Sequence, residues 1–223
     1  MIEISPASGK DVWAMARIVS NAFIGDANTE LKYRNQPGQF EKEMAGALLH
    51  WLKSPRVAVL KATEDTTVKG WLAWGYRGMD APKDVKEKNR QDLFEYTQPV
   101  AVHSDRIKKL LEASNKDMTN WMEKLMPEGA NCRFVVTLSV DPQFQSSGTG
   151  QKLLQWGTQD ADQAGVFTWV HSSMAATKFY QSAGFEPIGT TTFELDEYRD
   201  DDDSRVYGSY TFTYMKRMPL SIK

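Results

Sequence analysis

Gln145, Gly148 and Gly150, spaced along DPQFQSSGTG, are the first residues whose types suggest chemistry. An apolar run, RFVVTLSV from Arg133 to Val140, enters this loop, and QKLLQWGTQDADQAG leaves it with helical spacing. A glycine-spaced loop that opens a helix aims free backbone N–H groups, and the positive end of the helix dipole, into one small volume. Such a volume suits a phosphate. Spaced glycines also serve ordinary turns, so the pair alone names no ligand. Two nucleotide motifs fail on position. The dinucleotide fingerprint needs a third glycine where Leu153 stands, and the P-loop needs Gly-Lys-Ser/Thr where Gly150, Gln151 and Lys152 stand.

The residues that follow narrow the reading. Gly165 ends the helix, and VFTWV reads as a short buried strand because it is apolar, β-branched and aromatic. His171, Ser172 and Ser173 then supply a helix cap ahead of MAATKFYQSAGF, where Gly184 takes the left-handed position after the helix and Phe185 opens the next strand.

PQFQSSGTGQKLL followed by AATKFYQSAGF resembles the two core motifs of the GNAT acetyltransferase superfamily. Gln145, Gly148 and Gly150 satisfy the loop pattern Gln/Arg-x-x-Gly-x-Gly/Ala, and Ala176, Phe179, Tyr180, Gly184 and Phe185 satisfy the second motif. Ser146 and Ser147 stand where many members have glycine and arginine, so hydroxyls and backbone amides replace a cationic contact to the pyrophosphate. Ser173 stands where asparagine is common.

The resemblance implies an α/β fold of the GNAT kind: a mixed, mostly antiparallel central sheet with helices on both faces and a helical insertion between the third and fourth strands. It implies acetyl-coenzyme A as cosubstrate. Leu138, Ser139 and Val140 would lie along the pantetheine arm, with a backbone N–H near Val140 polarising the thioester oxygen. Gln145, Ser146, Ser147, Gly148, Thr149 and Gly150 would hold the pyrophosphate, with Ser173, Ala176 and Phe179 alongside. Tyr180 becomes the general acid for the departing sulfur, because a phenol with a pKa near ~10 stays protonated at neutral pH. The fourth strand offers Phe134, Val135 and Val136 where some relatives place a glutamate base, so His171, which titrates in the right range, is the candidate base. Phe23, Tyr33 and Trp74, with Asp26 and Arg34, are candidate acceptor-site residues. The expected reaction is direct N-acetylation of a small-molecule primary amine in a ternary complex. The alternatives are a protein or peptide amine as acceptor, and a non-catalytic acyl-coenzyme A-binding module.

The elements that must position these residues read from the N-terminus as a short strand at Ile2–Ile4, a Ser8/Asp11 capping pair, and a helix carrying Val12, Met15, Ala16 and Val19. A loop from Phe23 to Gly38 precedes a second helix ended by Pro55, and RVAVLKA and VKGWLAWGY flank TEDTT as a hairpin. Two helical patterns fill the charged insertion at about 80–130, whose lysines read as a solvated face. FEPIGTTTFEL and SRVYGSYTFTYMKRM give the last strands, joined by DEYRDDDD, read as a solvated acidic loop. The 223 residues, 41% hydrophobic, suffice for one domain spanning 1–223. A formal charge of −2 argues against a nucleic-acid partner. The lone Cys132 excludes an intrachain disulfide, and no spaced ligand pair suggests a metal. Neither a signal-peptide pattern nor an apolar run near the roughly 20 residues of a membrane span is seen. The expectation is a cytoplasmic monomer or homodimer with no membrane partner.

Overall fold

β-Branched and aromatic runs build β2 (Val57–Glu64), β3 (Thr67–Arg77) and β4 (Cys132–Val140), and the short Glu-Ile-Ser-Pro segment forms β1 (Glu3–Pro6). In the computed structural model, which describes residues 1–220, these four pair antiparallel in chain order. β5 (Thr168–Ser172) joins β4 in parallel. β6 (Glu186–Glu194) and β7 (Ser209–Arg217) complete the order β1-β2-β3-β4-β5-β7-β6. The remaining residues of the expected domain, 221–223, lie outside the described residues.

Seven α-helices accompany the sheet among the described residues: α1 (Val12–Ala22), α2 (Ala27–Tyr33), α3 (Gln39–Lys53), α4 (Lys83–Asn89), α5 (Asp105–Leu125), α6 (Thr149–Gln163) and α7 (Thr177–Ser182). The expected loop between Phe23 and Gly38 thus contains a helix. Asp26 caps α2 by accepting from the Thr29 N–H at 2.9 Å. His171 and Ser172 belong to β5, leaving Ser173 to cap the turn that leads into α7.

The two faces of the sheet carry different cores. On one, Met15, Ala16 and Val19 of α1 and Leu48 and Leu52 of α3 pack on Val59, Trp71 and Ala73. The same face continues under α5, where Met118, Trp121 and Leu125 meet Trp169 and Tyr214. On the other, Leu153, Leu154 and Ala161 of α6 and Tyr180 of α7 pack on Leu60, Leu72, Trp74 and Val170. Because side chains alternate across a strand, Trp71 and Trp74, three residues apart, point to opposite faces.

Two charged segments are less solvated than expected. Lys86 is 5% exposed, and its ammonium donates to the carbonyls of Leu52 (2.9 Å) and Val57 (2.8 Å), satisfying the free C-terminal end of α3. Asp203, in the acidic run before β7, is 2% exposed and takes Arg34 at 3.1 Å and the Tyr207 hydroxyl at 2.7 Å. A buried carboxylate persists only with such partners.

Candidate active site

The sheet opens between β4 and β5. Their ladder runs only from Arg133↔Thr168 to Val135↔Val170, while β4 continues to Val140 and β5 continues along β7. At that point the β3–β4 register shifts between Ala73 and Trp74, leaving Val136 as the extra residue of a bulge. Past it, Val136, Thr137 and Leu138 are half-exposed in mid-sheet, and the β5-facing backbone groups of β4 have no ladder partner. An unpaired edge inside a sheet can hydrogen-bond an extended ligand. Leu138 and Val140 reach toward the α6 face, whereas Ser139 is 3% exposed on the α1 face with its hydroxyl unpaired.

The glycine loop lies at the end of this opening. Gln145 donates its side-chain amide to the Val140 carbonyl at 3.2 Å. Ser146 adopts φ 59° and Gly148 φ 85°, so the chain turns sharply before α6 begins at Thr149. Gln145 to Gly148 are exposed, no side chain caps the helix N-terminus, and the Ser147 and Thr149 hydroxyls stand 2.8 Å apart. A methyl at Gly150 would lie 3.4 Å from Val140 Cγ2 and 3.5 Å from the Phe179 ring, so a close approach joins strand, loop and α7. These features fit a pyrophosphate: open N–H groups at the positive end of a four-turn helix, with space above Gly148.

Tyr180 sits under this loop, 4% exposed, edge-on to Phe179 and Phe185 at 5.2 and 5.5 Å. Its hydroxyl has no hydrogen-bond partner among the described residues, and burial pushes its pKa above the ordinary phenol value. The phenol therefore keeps its proton at neutral pH and has no competing acceptor among the described residues. Ser173 and Ala176 frame the same turn, with the Ser173 carbonyl accepting from Thr177 Oγ1 at 3.1 Å.

Comparisons with known proteins bear on the fold and on the stretch that holds the loop. Residues 126–196, which span β4 to β6, match the Acetyltransferase (GNAT) domain model. Over these residues the chain carries a GNAT acetyltransferase domain match. That match indicates an enzyme of the acetyltransferase class. No curated protein sequence matches it. Among solved structures, the Drosophila melanogaster polyamine N-acetyltransferase is 13% identical with a TM-score of 0.59, over 98% of this chain and 100% of that one. A protein assigned as arylalkylamine N-acetyltransferase 7 of the mosquito Aedes aegypti is 11% identical, TM-score 0.61, over 97% and 87%. PaiA N-acetyltransferase of Thermoplasma acidophilum, in complex with coenzyme A, is 13% identical, TM-score 0.52, over 98% and 99%. At these identities the likeness concerns the fold.

The expected acceptor residues do not form one group. Phe23 and Tyr33 meet through Phe40, with ring centroids 5.8 and 5.2 Å from it. Trp74 is fully buried on the opposite face, its ring against Gly157 of α6, and is a core residue rather than a pocket wall. Arg34 is engaged with Asp203.

His171 also departs from its expected role. Its ring lies between Phe212 (4.2 Å) and Tyr214 (4.7 Å), and its Nε2 is buried without a partner. Burial pulls its pKa down to about 4, against the opposing charge of Asp117. An imidazole that disfavours its own cation is a poor proton acceptor, so His171 reads as part of an aromatic wall. Asp117 receives the hydroxyls of Thr191 at 2.9 Å and Tyr214 at 2.8 Å, and Asp26 receives that of Tyr210 at 2.7 Å. These carboxylate–phenol pairs were invisible to spacing because their members are far apart in the chain. Only the Asp26-x-x-Thr29 capping pattern gave a local signal.

Among the described residues no cluster of three or more His, Cys, Asp or Glu side chains is placed to hold a metal ion, and no helix is long and apolar enough to cross a membrane.

Proposed function

We propose that this chain transfers acetyl from acetyl-coenzyme A to a small-molecule primary amine by direct attack in a ternary complex. The observation that carries the reading is the opening past Val135/Val170: it exposes unpaired β4 backbone in mid-sheet, between the glycine loop on one side and an aromatic, carboxylate-bearing wall on the other. The loop from Gln145 to Gly150 would hold the pyrophosphate, and Val136 to Val140 would pair with the pantetheine amides. Their N–H groups can then hydrogen-bond the thioester oxygen as negative charge develops on it. Tyr180 supplies the proton to the leaving sulfur.

The acceptor side favours an amine with an apolar or aromatic body. Phe23, Tyr33, Phe40 and Phe212 supply apolar surface. Asp26 and Asp117 add charge that makes no salt bridge among the described residues. Small cationic amines suit such a mixture, in keeping with the polyamine and arylalkylamine activities named for the two insect neighbours.

Thiol release from acetyl-coenzyme A, measured across aryl-alkyl amines, polyamines and peptide amines, tests the reading. Release with small amines is expected. Tight cofactor binding with no release on any amine would make the chain a binding module, and release on peptides alone would move the acceptor class.

A further inference from the structure

We propose that Asp26 is the group that accepts the proton from the acceptor nitrogen, with Tyr210 positioning its carboxylate at the mouth of the sheet opening. This rests on the acetyl-transfer reading above. The reaction needs a proton acceptor, β4 carries no carboxylate, and His171 resists protonation.

Of the carboxylates on the α1/α5 side, four have phenol donors. Asp203 is buried and neutralised by Arg34 beside its Tyr207 donor. Glu43 is engaged by Tyr33 (2.6 Å), by Gln39 (3.1 Å) and by the Ala101 N–H (3.0 Å). Asp117 receives Thr191 on one oxygen and Tyr214 on the other, and Tyr214 is fully buried, covered by the Trp121 ring at 4.4 Å, at the level of His171 where β5 is still paired. Glu43, Asp117 and Asp26 are all half-exposed, and Asp26 differs in place: its Oδ1 serves the helix cap through Thr29, and its Oδ2 receives the hydroxyl of Tyr210, which lies beyond the end of β5. Oδ2 therefore keeps a lone pair for another donor.

The location follows from the register of β7. Tyr214 pairs with His171 and Thr213 with Ser172, so Tyr210 lies beyond the end of β5, on the side where β4 has already separated. Ser173, the residue that follows β5, lies close enough to Tyr210 to act on its phenol, as does Asp26. Tyr180 approaches from the other face of the sheet. Acceptor and donor of protons thus flank the opening. The charged groups nearest Asp26 are Glu30, whose carboxylate accepts from the Gly25 N–H, and Lys32, half-buried and close to both Asp26 and His171.

In the step itself the amine lone pair forms a C–N bond to the thioester carbon and the carbonyl π pair moves to oxygen. The nitrogen becomes more acidic as that bond forms, and Asp26 Oδ2 takes one N–H proton. The oxygen pair then returns, the C–S bond breaks, and the thiolate takes the Tyr180 proton. The products are amide and free thiol, with Asp26 and Tyr180 reset by proton exchange with solvent.

Asp26→Asn is the informative variant, because asparagine also caps a helix and so preserves α2 while removing the proton acceptor. With acetyl-coenzyme A and either phenethylamine or agmatine, whichever the unaltered chain acetylates, kcat is expected to fall about 10²–10⁴-fold with KM for coenzyme A and the thermal midpoint unchanged. Asp26→Glu is expected to restore part of the loss, and Tyr210→Phe to lower kcat by about 10-fold or more. An Asn variant with unchanged kcat, or with only a raised amine KM, overturns the assignment. If the unaltered chain acetylates no amine, the acetyl-transfer reading fails first and this assignment with it.

Discussion

Trp121 of α5 stacks on Tyr214 of β7 with ring centroids 4.4 Å and planes 17° apart, and Tyr214 in turn stacks on His171. The contact is possible because residue 189 of β6 is glycine: a methyl there would come within 2.3 Å of the Trp121 ring. The charged insertion is thereby fastened to the sheet and forms a fixed wall of the acceptor side. Asp117, one turn earlier on α5, adds its hydrogen bonds to Tyr214 and Thr191.

Trp121→Ala should cost about 2–4 kcal/mol, toward the lower end for a large core aromatic because the ring is part-exposed. Gly189→Val should produce a loss of similar sign by displacing the ring. Urea unfolding of both variants checks this, and a change within the error of the fit would show that α5 is not held by this stack.

Gly157 has the corresponding role on the other face. A methyl at this position would lie 2.6 Å from the Trp74 ring, which is fully buried and has no room to retreat. Alanine ordinarily gains up to ~1 kcal/mol over glycine inside a helix, but overpacking a filled core costs ~1–3 kcal/mol. Gly157→Ala is therefore expected to lower the unfolding midpoint, and an increased midpoint would show that α6 is free to shift outward.

Much of the donor side was legible because it is local. Gln145, Gly148 and Gly150 act within one turn, and Gly184, at φ 84°, ends α7 where the pattern requires. The acceptor side is built from contacts across 97 residues between Asp117 and Tyr214, and 184 between Asp26 and Tyr210. No spacing rule reports such pairs. The sequence does not reveal α2 because a seven-residue helix with a single buried residue, Leu31, carries no periodic stripe. Asp203 was misread because composition cannot tell a solvated acid from one folded around Arg34.

Tyr180→Phe isolates the proposed acid. The ring keeps its edge contacts with Phe179 and Phe185, and the hydroxyl it loses has no partner among the described residues, so stability and coenzyme A binding should hardly change. Turnover should drop by about 10²–10⁴-fold. Because burial raises the phenol pKa, no loss of activity from its ionisation is expected below pH ~10. Unchanged turnover in the phenylalanine variant would remove Tyr180 from the reaction.

His171 should make the fold acid-sensitive. Its folded pKa is depressed from 6.5 to about 4, so the folded state favours the neutral ring and the unfolded chain binds the proton first. The stability due to this site is complete above pH ~6.5 and is lost as pH falls from there toward about 4; at about 1.4 kcal/mol per pKa unit the loss is on the order of 3 kcal/mol. His171→Phe keeps an aromatic ring between Phe212 and Tyr214 while removing the titration. Unfolding free energies measured from pH 7 to pH 4 should fall less steeply in the variant, by about that amount. Parallel profiles would mean that the ring is protonated in the folded protein, and His171 would return as a candidate proton acceptor.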